Sequence, residues 1–177
     1  LSADLTFGPG ELDSLAPLLS DAAISPAGTG RARIDIFSEQ ADAGPPRSRI
    51  TVSLEGGALQ GFFFDALAEL SDGAASESPF EGTTRLDQLE TTVFVRDGTY
   101  IVREANLISQ GGTVSLSGRG TVASKTLALR GTLTTADGDE RPFFVGGTTS
   151  APLAVSLPVA GAAPDRVTVP SGGTITQ

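Results

Sequence analysis

The clearest group of metal-binding side chains in this sequence is the acidic run Asp137-Gly138-Asp139-Glu140. Carboxylate oxygens are the ligands that Ca²⁺ prefers in proteins. The run lacks the further ligands, at alternating positions, that an EF-hand loop supplies, and acidic turns are common at hairpin ends. The sequence therefore predicts a solvated turn here and no metal site.

The side chains that most often carry out catalysis are scarce. The chain has no histidine, the commonest general base, and no cysteine, so it has no thiolate ligand and no disulfide. No serine lies in a G-x-S-x-G motif, and the glycine-rich segment 56–61 lacks the Lys-Ser or Lys-Thr of a phosphate loop. We predict a protein that is not an enzyme and has no cofactor.

Two acids from distant strands could still meet and hydrolyse a glycosidic bond. The chain contains one tyrosine and no tryptophan, so it offers little aromatic surface on which a sugar ring could stack. An enzyme that acts on glycans is therefore the third and least favoured alternative.

Residues 84–135 predict an antiparallel meander of strands. Asp97-Gly98 lies between two strand-like runs and supplies the positive φ angles of a two-residue type I′ turn. Gly111-Gly112 and Ser124-Lys125 separate the runs that follow. The remaining elements should be arranged around this meander.

The alternation within these runs predicts a sheet with one apolar face and one polar face. Pairing around the predicted turns places Leu107 opposite Leu116, and Val122 opposite Leu127. A shift of one residue would turn every apolar side chain to water, so the faces should be strongly specified. The predicted apolar face, either a covered core or the floor of a groove, consists of Leu107, Leu116, Val122, Leu127, Leu129 and Leu133.

Helical spacing of apolar residues predicts two short helices, one within residues 10–23 and one within residues 62–71. Thr84, followed by Asp87, predicts a further capped helical turn just before the meander. Other strands are predicted at residues 31–37 and 49–54, and two more after residue 141.

These elements together predict an α+β fold. It consists of a curved, mostly antiparallel sheet, a groove-like meander, with the two short helices packed on one face. The 177 residues are enough for one domain, residues 1–160. Residues 161–177 form a tail rich in Gly, Pro and Thr that we expect to be poorly ordered.

The net charge of −9 is unevenly distributed along the chain. Residues 61–90 hold seven acids and one arginine, whereas residues 91–135 hold five cations and two acids. No basic stripe long enough to bind nucleic acid is present, and no apolar run is long enough to span a membrane. Because the chain begins with Leu, we expect it to be part of a longer protein.

Several short segments follow one another along the chain in a particular order and spacing. They are Gly57-x-Leu59-x-Gly61, Thr84-x-Leu86-x-x-Leu89, residues 93–98, Asn106-Leu107, residues 114–122, Leu127-Ala128-Leu129, and residues 145–148 with Pro152. Together they resemble the C-terminal domain of the AsmA family. The resemblance covers residues 50–157, with weaker agreement back to Leu12. The chain departs from the family pattern at residues 123–125, where a longer connection is expected.

The resemblance implies a periplasmic domain of a bacterial envelope protein whose full-length parent is anchored in the inner membrane. Such proteins are associated with outer-membrane assembly and lipid homeostasis, and larger relatives resemble lipid-transfer proteins with an apolar β-groove. Phospholipid or envelope proteins are the implied partners. The alternative is a periplasmic scaffold that binds a partner chain by strand addition at a sheet edge.

Overall fold

The computed structural model describes residues 2–12, 23–39 and 47–158 of the chain. Within them, eleven strands form one sheet in which every pairing is antiparallel. The strands are β1 (Ser2–Glu11), β2 (Ser25–Glu39), β3 (Arg47–Gln60), β4 (Ala75–Ser76), β5 (Thr83–Arg85), β6 (Gln88–Arg96), β7 (Thr99–Ser109), β8 (Gly112–Thr121), β9 (Thr126–Thr135), β10 (Glu140–Thr148) and β11 (Ala151–Ser156). Their spatial order is β1-β2-β3-β6-β7-β8-β9-β10-β11-β4, and β5 pairs with β3.

The prediction of an α+β fold with two helices on one face of the sheet was wrong. The described residues contain one helix, α1 (Phe64–Ala68), and a short 3-10 turn (Ser78–Phe80). Of the segment predicted as the first helix, residues 10 and 11 belong to β1, and residues 13–22 lie outside the described residues. The predicted tail, residues 161–177, also lies outside them.

The helix observed in residues 62–71 is much shorter than predicted, because the three consecutive phenylalanines alternate between buried and exposed positions. Phe62 and Phe64 are buried, whereas Phe63, between them, is exposed. Phe63 has an extended backbone and α1 begins only at the next residue. The helical spacing from Phe63 to Leu70 therefore did not mark one helical face.

The sheet covers much of its own apolar face by bending. Gly56 and Gly57 both have positive φ angles, and β3 changes its neighbour there from β6 to β5. The backbone of Gly56 and Gly57 bonds to that of Asp87 and Leu86, at 3.0 Å each. On the far side, the Ala23 N–H donates a hydrogen bond of 2.8 Å to the Thr149 carbonyl in the β10–β11 turn. The chain just before β2 thus contacts the β10–β11 turn, although β2 and β11 lie near opposite edges of the sheet in strand order.

The strands of the meander were predicted correctly, but two of its registers differ by two residues. Asp97 and Gly98 have the positive φ angles predicted, 52° and 69°. Leu107 lies opposite Val114 rather than Leu116, because the β7–β8 turn is Gln110-Gly111. Leu127 lies opposite Gly120 rather than Val122, because residues 122–125 form a four-residue turn. A shift of two residues leaves the side chains that remain within the strands on their predicted face.

The sheet has two ends along the direction of its strands. The helix end holds α1 and the β7–β8 and β9–β10 turns, and the Arg141 guanidinium donates a hydrogen bond of 2.6 Å to the Ala68 carbonyl there. The turn end holds the β6–β7 and β8–β9 turns. The face that carries the buried Leu107, Val114 and Leu133 is called the inner face, and the opposite face is called the outer face.

Candidate functional site

The most distinctive feature of the inner face is an apolar cavity of about 300 Å³. Among the described residues that line it, threonines provide the only polar side chains, and the others are aliphatic, aromatic or proline. The cavity is lined by Ile24, Leu59, Phe62, Leu67, Phe80, Leu89, Thr91, Val102, Ala105, Leu107, Val114, Leu116, Leu127, Leu129, Phe143, Val145, Thr149 and Pro152. Interiors of folded domains have few voids larger than a water molecule, so a space of this size is unusual for a core.

Cross-strand pairing brings the floor of this cavity together. Ala105 of β7 pairs with Leu116 of β8, and Val145 of β10 pairs with Leu129 of β9. Because side chains alternate along each strand, these partners project from the same face and form a continuous apolar surface. The lining therefore depends on register and on the bend of the sheet, and no single segment supplies it.

The six residues of the predicted apolar face have three different positions. Leu107, Leu116, Leu127 and Leu129 line the cavity. Leu133, with 1% of its surface exposed, belongs to the packed core near α1 and does not line it. Val122 lies in the β8–β9 turn with 51% of its surface exposed, because that turn is two residues longer than predicted.

Sequence reasoning missed the part of the lining that lies far from the meander. Ile24 and Leu59 come from one side of the bend, and Phe143, Val145 and Pro152 come from the last two strands. Alternation identifies the inner face of β10, but in β11 the alternating Leu153 and Val155 lie on the face opposite to the buried Pro152 and Ala154. In neither strand does it carry information on how far the sheet curls. The sequence feature that accompanies this curvature is the glycine pair of β3, where both φ angles are positive.

The helix end of the cavity is closed by a packed cluster. Phe62, Phe64, Leu67 and Leu70 are buried together with Leu86, which has 1% of its surface exposed. They come from α1, from the chain on either side of it, and from the residue that follows β5. The cavity therefore has an aromatic wall at this end.

Tyr100 lies on the inner face at the turn end. Its register partner is Gly120, and its hydroxyl donates a hydrogen bond to the Thr126 carbonyl in β9. Partial burial removes water from the phenol, which disfavours the charged form and raises the pKa of Tyr100 above its usual value near 10. The side chain thus spans from β7 to β9 over a position with no side chain.

The acidic run of the β9–β10 turn lies at the surface of the described structure. Asp137, Asp139 and Glu140 are all exposed, as expected of a solvated turn. Across the described residues, no three acidic side chains come together in a group that could hold a metal ion. The chemistry that the cavity offers is apolar burial.

No family model, curated protein or solved structure matches the chain. In the described ranges, no helix has both the length and the apolar character needed to cross a bilayer.

Proposed function

We propose that this chain is a non-catalytic domain that holds a lipid acyl chain in the cavity of its inner face, as part of lipid transport or outer-membrane assembly in a bacterial envelope. The observation that carries the proposal is the apolar cavity of about 300 Å³. That volume is at the lower end of the range found for small-molecule sites, and twice that of an engineered cavity that binds benzene. The resemblance to the AsmA family supports the envelope setting, with a periplasmic location and an anchored parent.

The cavity suits an acyl chain better than a polar ligand. Sixteen of its eighteen lining residues have apolar side chains, and the two threonines, Thr91 and Thr149, are its only side-chain hydroxyls. A buried polar ligand would leave most of its hydrogen bonds unmade, which costs free energy for each group. An unbranched hydrocarbon makes no such demand and gains dispersion contacts with every wall.

Ala105 offers a direct test because it lines the cavity with the smallest side chain there. Ala105→Phe should fill the space, with Ala105→Leu as a smaller step. Ala128→Phe is the matched control, since Ala128 is exposed on the outer face of β9. Native mass spectrometry after incubation with phospholipid vesicles should show lipid on the wild type and on Ala128→Phe, and little on Ala105→Phe.

A lipid-free wild type under these conditions would end the proposal, and the cavity would then be a loosely packed core. Thermal unfolding of each variant shows whether the substituted protein is folded. If Ala105→Phe unfolds, Ala105→Leu carries the comparison.

Strand addition to a partner is a second candidate function. It is favoured by β1, which pairs with β2 on one side and has no strand neighbour on the other among the described residues. A free edge presents unpaired N–H and C=O groups to another chain. Dimers without lipid in the same spectra would favour this alternative.

A further inference from the structure

The two ends of the sheet carry opposite charge. Exposed acids dominate the helix end, where three arginines oppose them: Glu55, Asp65, Glu69, Asp72, Glu77, Glu81, Asp87, Asp137, Asp139 and Glu140, against Arg31, Arg85 and Arg141. Cations dominate the turn end in the described residues: Arg47, Arg49, Arg96, Arg119 and Lys125, against Glu39 and Asp97. Although the net charge of the chain is −9, the turn end of the sheet therefore presents a basic surface.

This basic surface is organised as a row across the outer face at the turn end. Phe37, Arg49, Phe94, Ile101 and Arg119 are successive cross-strand partners on β2, β3, β6, β7 and β8. We call these five residues the outer row. Neighbouring partners have Cβ atoms about 5 Å apart, so the row is roughly 20 Å long. Arginines and apolar side chains are interleaved along it.

Two of the three apolar members of the outer row are open to solvent, and the third, Phe94, is partly buried. Phe37 and Ile101 have 45% and 46% of their surfaces exposed, and Val122 lies nearby in the β8–β9 turn. The Arg49 guanidinium lies 5.8 Å from the centroid of the Phe37 ring, within the range of a cation–π contact. Arg96 is engaged by the Asp97 carboxylate at 3.0 Å, whereas Arg49 and Arg119 are the two cations within the outer row.

A bilayer that contains anionic lipid matches this combination. Arginine is attracted to the negative surface potential of such a membrane, and exposed apolar side chains enter the headgroup region. Acids placed at the far end of the molecule would be held away from that surface. Single-stranded nucleic acid fits less well, because Phe37 is the only well-exposed ring in the outer row on which a base could stack.

We propose that the turn end of the sheet docks on an anionic bilayer, with Arg49 and Arg119 facing lipid phosphates and Phe37 and Ile101 in the headgroup region. The proposal goes beyond lipid binding in the cavity and does not depend on it. Ala105→Phe, which fills the cavity, should bind vesicles as the wild type does.

A single tryptophan can report the docked surface because the chain contains none. Ile101→Trp places the reporter in the outer row. Ile108→Trp is its matched control, since Ile108 lies on the same strand and face with 41% exposure, but at the helix end. Vesicles of phosphatidylglycerol and phosphatidylcholine in equal parts should shift the emission of Ile101→Trp to shorter wavelength and leave that of Ile108→Trp unchanged.

Charge reversal tests the arginines. Arg49→Glu with Arg119→Glu should weaken vesicle binding by more than about tenfold. Arg31→Glu with Arg85→Glu changes the net charge equally at the helix end, and should have a much smaller effect. Arg31 and Glu55 approach at 3.9 Å and are both well exposed, so losing their ion pair has little consequence for folding.

Four results would overturn the proposal. They are a wild type that does not bind these vesicles at low ionic strength, equal loss in both double variants, equal shifts in both tryptophan variants, and tighter binding of a single-stranded oligonucleotide than of vesicles at equal phosphate. The tryptophan variants keep the test decisive if the Arg49 and Arg119 double variant does not fold.

Discussion

The hydroxyl of Thr84 caps α1 by accepting a hydrogen bond of 2.9 Å from the Phe64 N–H. The same hydroxyl donates a hydrogen bond of 2.8 Å to the Phe62 carbonyl. The residue before α1, Phe63, has no side chain that could cap the helix, so a threonine twenty positions away supplies the missing acceptor. This contact ties β5 to the aromatic wall of the cavity.

Thr84→Val removes both hydrogen bonds and keeps the shape of the side chain. Because Thr84 is buried, the Phe64 N–H would lose its partner without gaining water, at a cost of about 1–3 kcal/mol. Chemical denaturation should show this loss of stability. The control is Thr83→Val, at an exposed position in the same strand, which should change stability by less than about 0.5 kcal/mol. Equal losses in both variants would contradict the capping role.

Thr84 also shows where sequence reasoning fails. The pattern of Thr84 with Asp87 predicted a cap for a local helical turn, but Thr83–Arg85 is a strand and Thr84 caps a helix that precedes it. A cap needs an acceptor near the first free N–H groups, and the chain can bring one from any distance. Local spacing detects only caps that are close in sequence.

Gly120 is required where the Tyr100 side chain crosses from β7 to β9. A methyl group on Gly120 would overlap the Thr126 carbonyl oxygen and the Tyr100 hydroxyl. Gly120→Ala should therefore destabilise the protein by about 1–3 kcal/mol. Gly146→Ala is the comparison, because its methyl group would meet only the flexible ring of Phe144, at 3.0 Å. Thermal unfolding that ranks Gly146→Ala as the more damaging change would disprove this packing.

Tyr100 is the only tyrosine in the chain, so its ionisation can be followed alone by ultraviolet absorbance. Burial raises the pKa of Tyr100 above its usual value near 10 in the folded state. The folded protein should then bind a proton that the unfolded chain has released, so this contribution to stability is complete below pH of about 10 and falls as pH rises through the folded pKa.

Tyr100→Phe removes that dependence and provides the control for other groups that titrate at alkaline pH. The difference in stability between wild type and Tyr100→Phe should shrink with rising pH across this range. A tyrosine that titrates at or below its usual value in the folded protein would contradict the burial of the phenol.

The strands and faces of the meander could be predicted because they depend on local alternation and on turn residues. Asp97-Gly98 fixed one hairpin correctly, since that turn type requires positive φ at both positions. The other two registers were wrong by two residues, and alternation cannot reveal such a shift because it leaves both faces intact. Only the length of the turn determines the register. The β8–β9 turn has four residues and ends at Lys125, whose φ angle is 52°.

The site was predicted in part for the same reason. Leu116 and Leu129 were placed on the correct face, and they line the cavity. Pro152 and Ile24 were not predicted, because they join the site only when the sheet bends at Gly56 and Gly57. Curvature depends on contacts between distant strands, and periodicity within one strand does not encode it.

Leu133 and Val122 provide the most direct test of the corrected register. Both were predicted on the apolar face, but Leu133 is in the packed core and Val122 is 51% exposed in a turn. Leu133→Ala should cost about 2–5 kcal/mol, because it leaves a new void among well-packed residues. Val122→Ala should change stability by less than about 0.5 kcal/mol, since a half-exposed turn residue has little packing to lose. The original pairing, with Val122 opposite Leu127, requires comparable losses from both substitutions, so the two unfolding free energies decide between the registers.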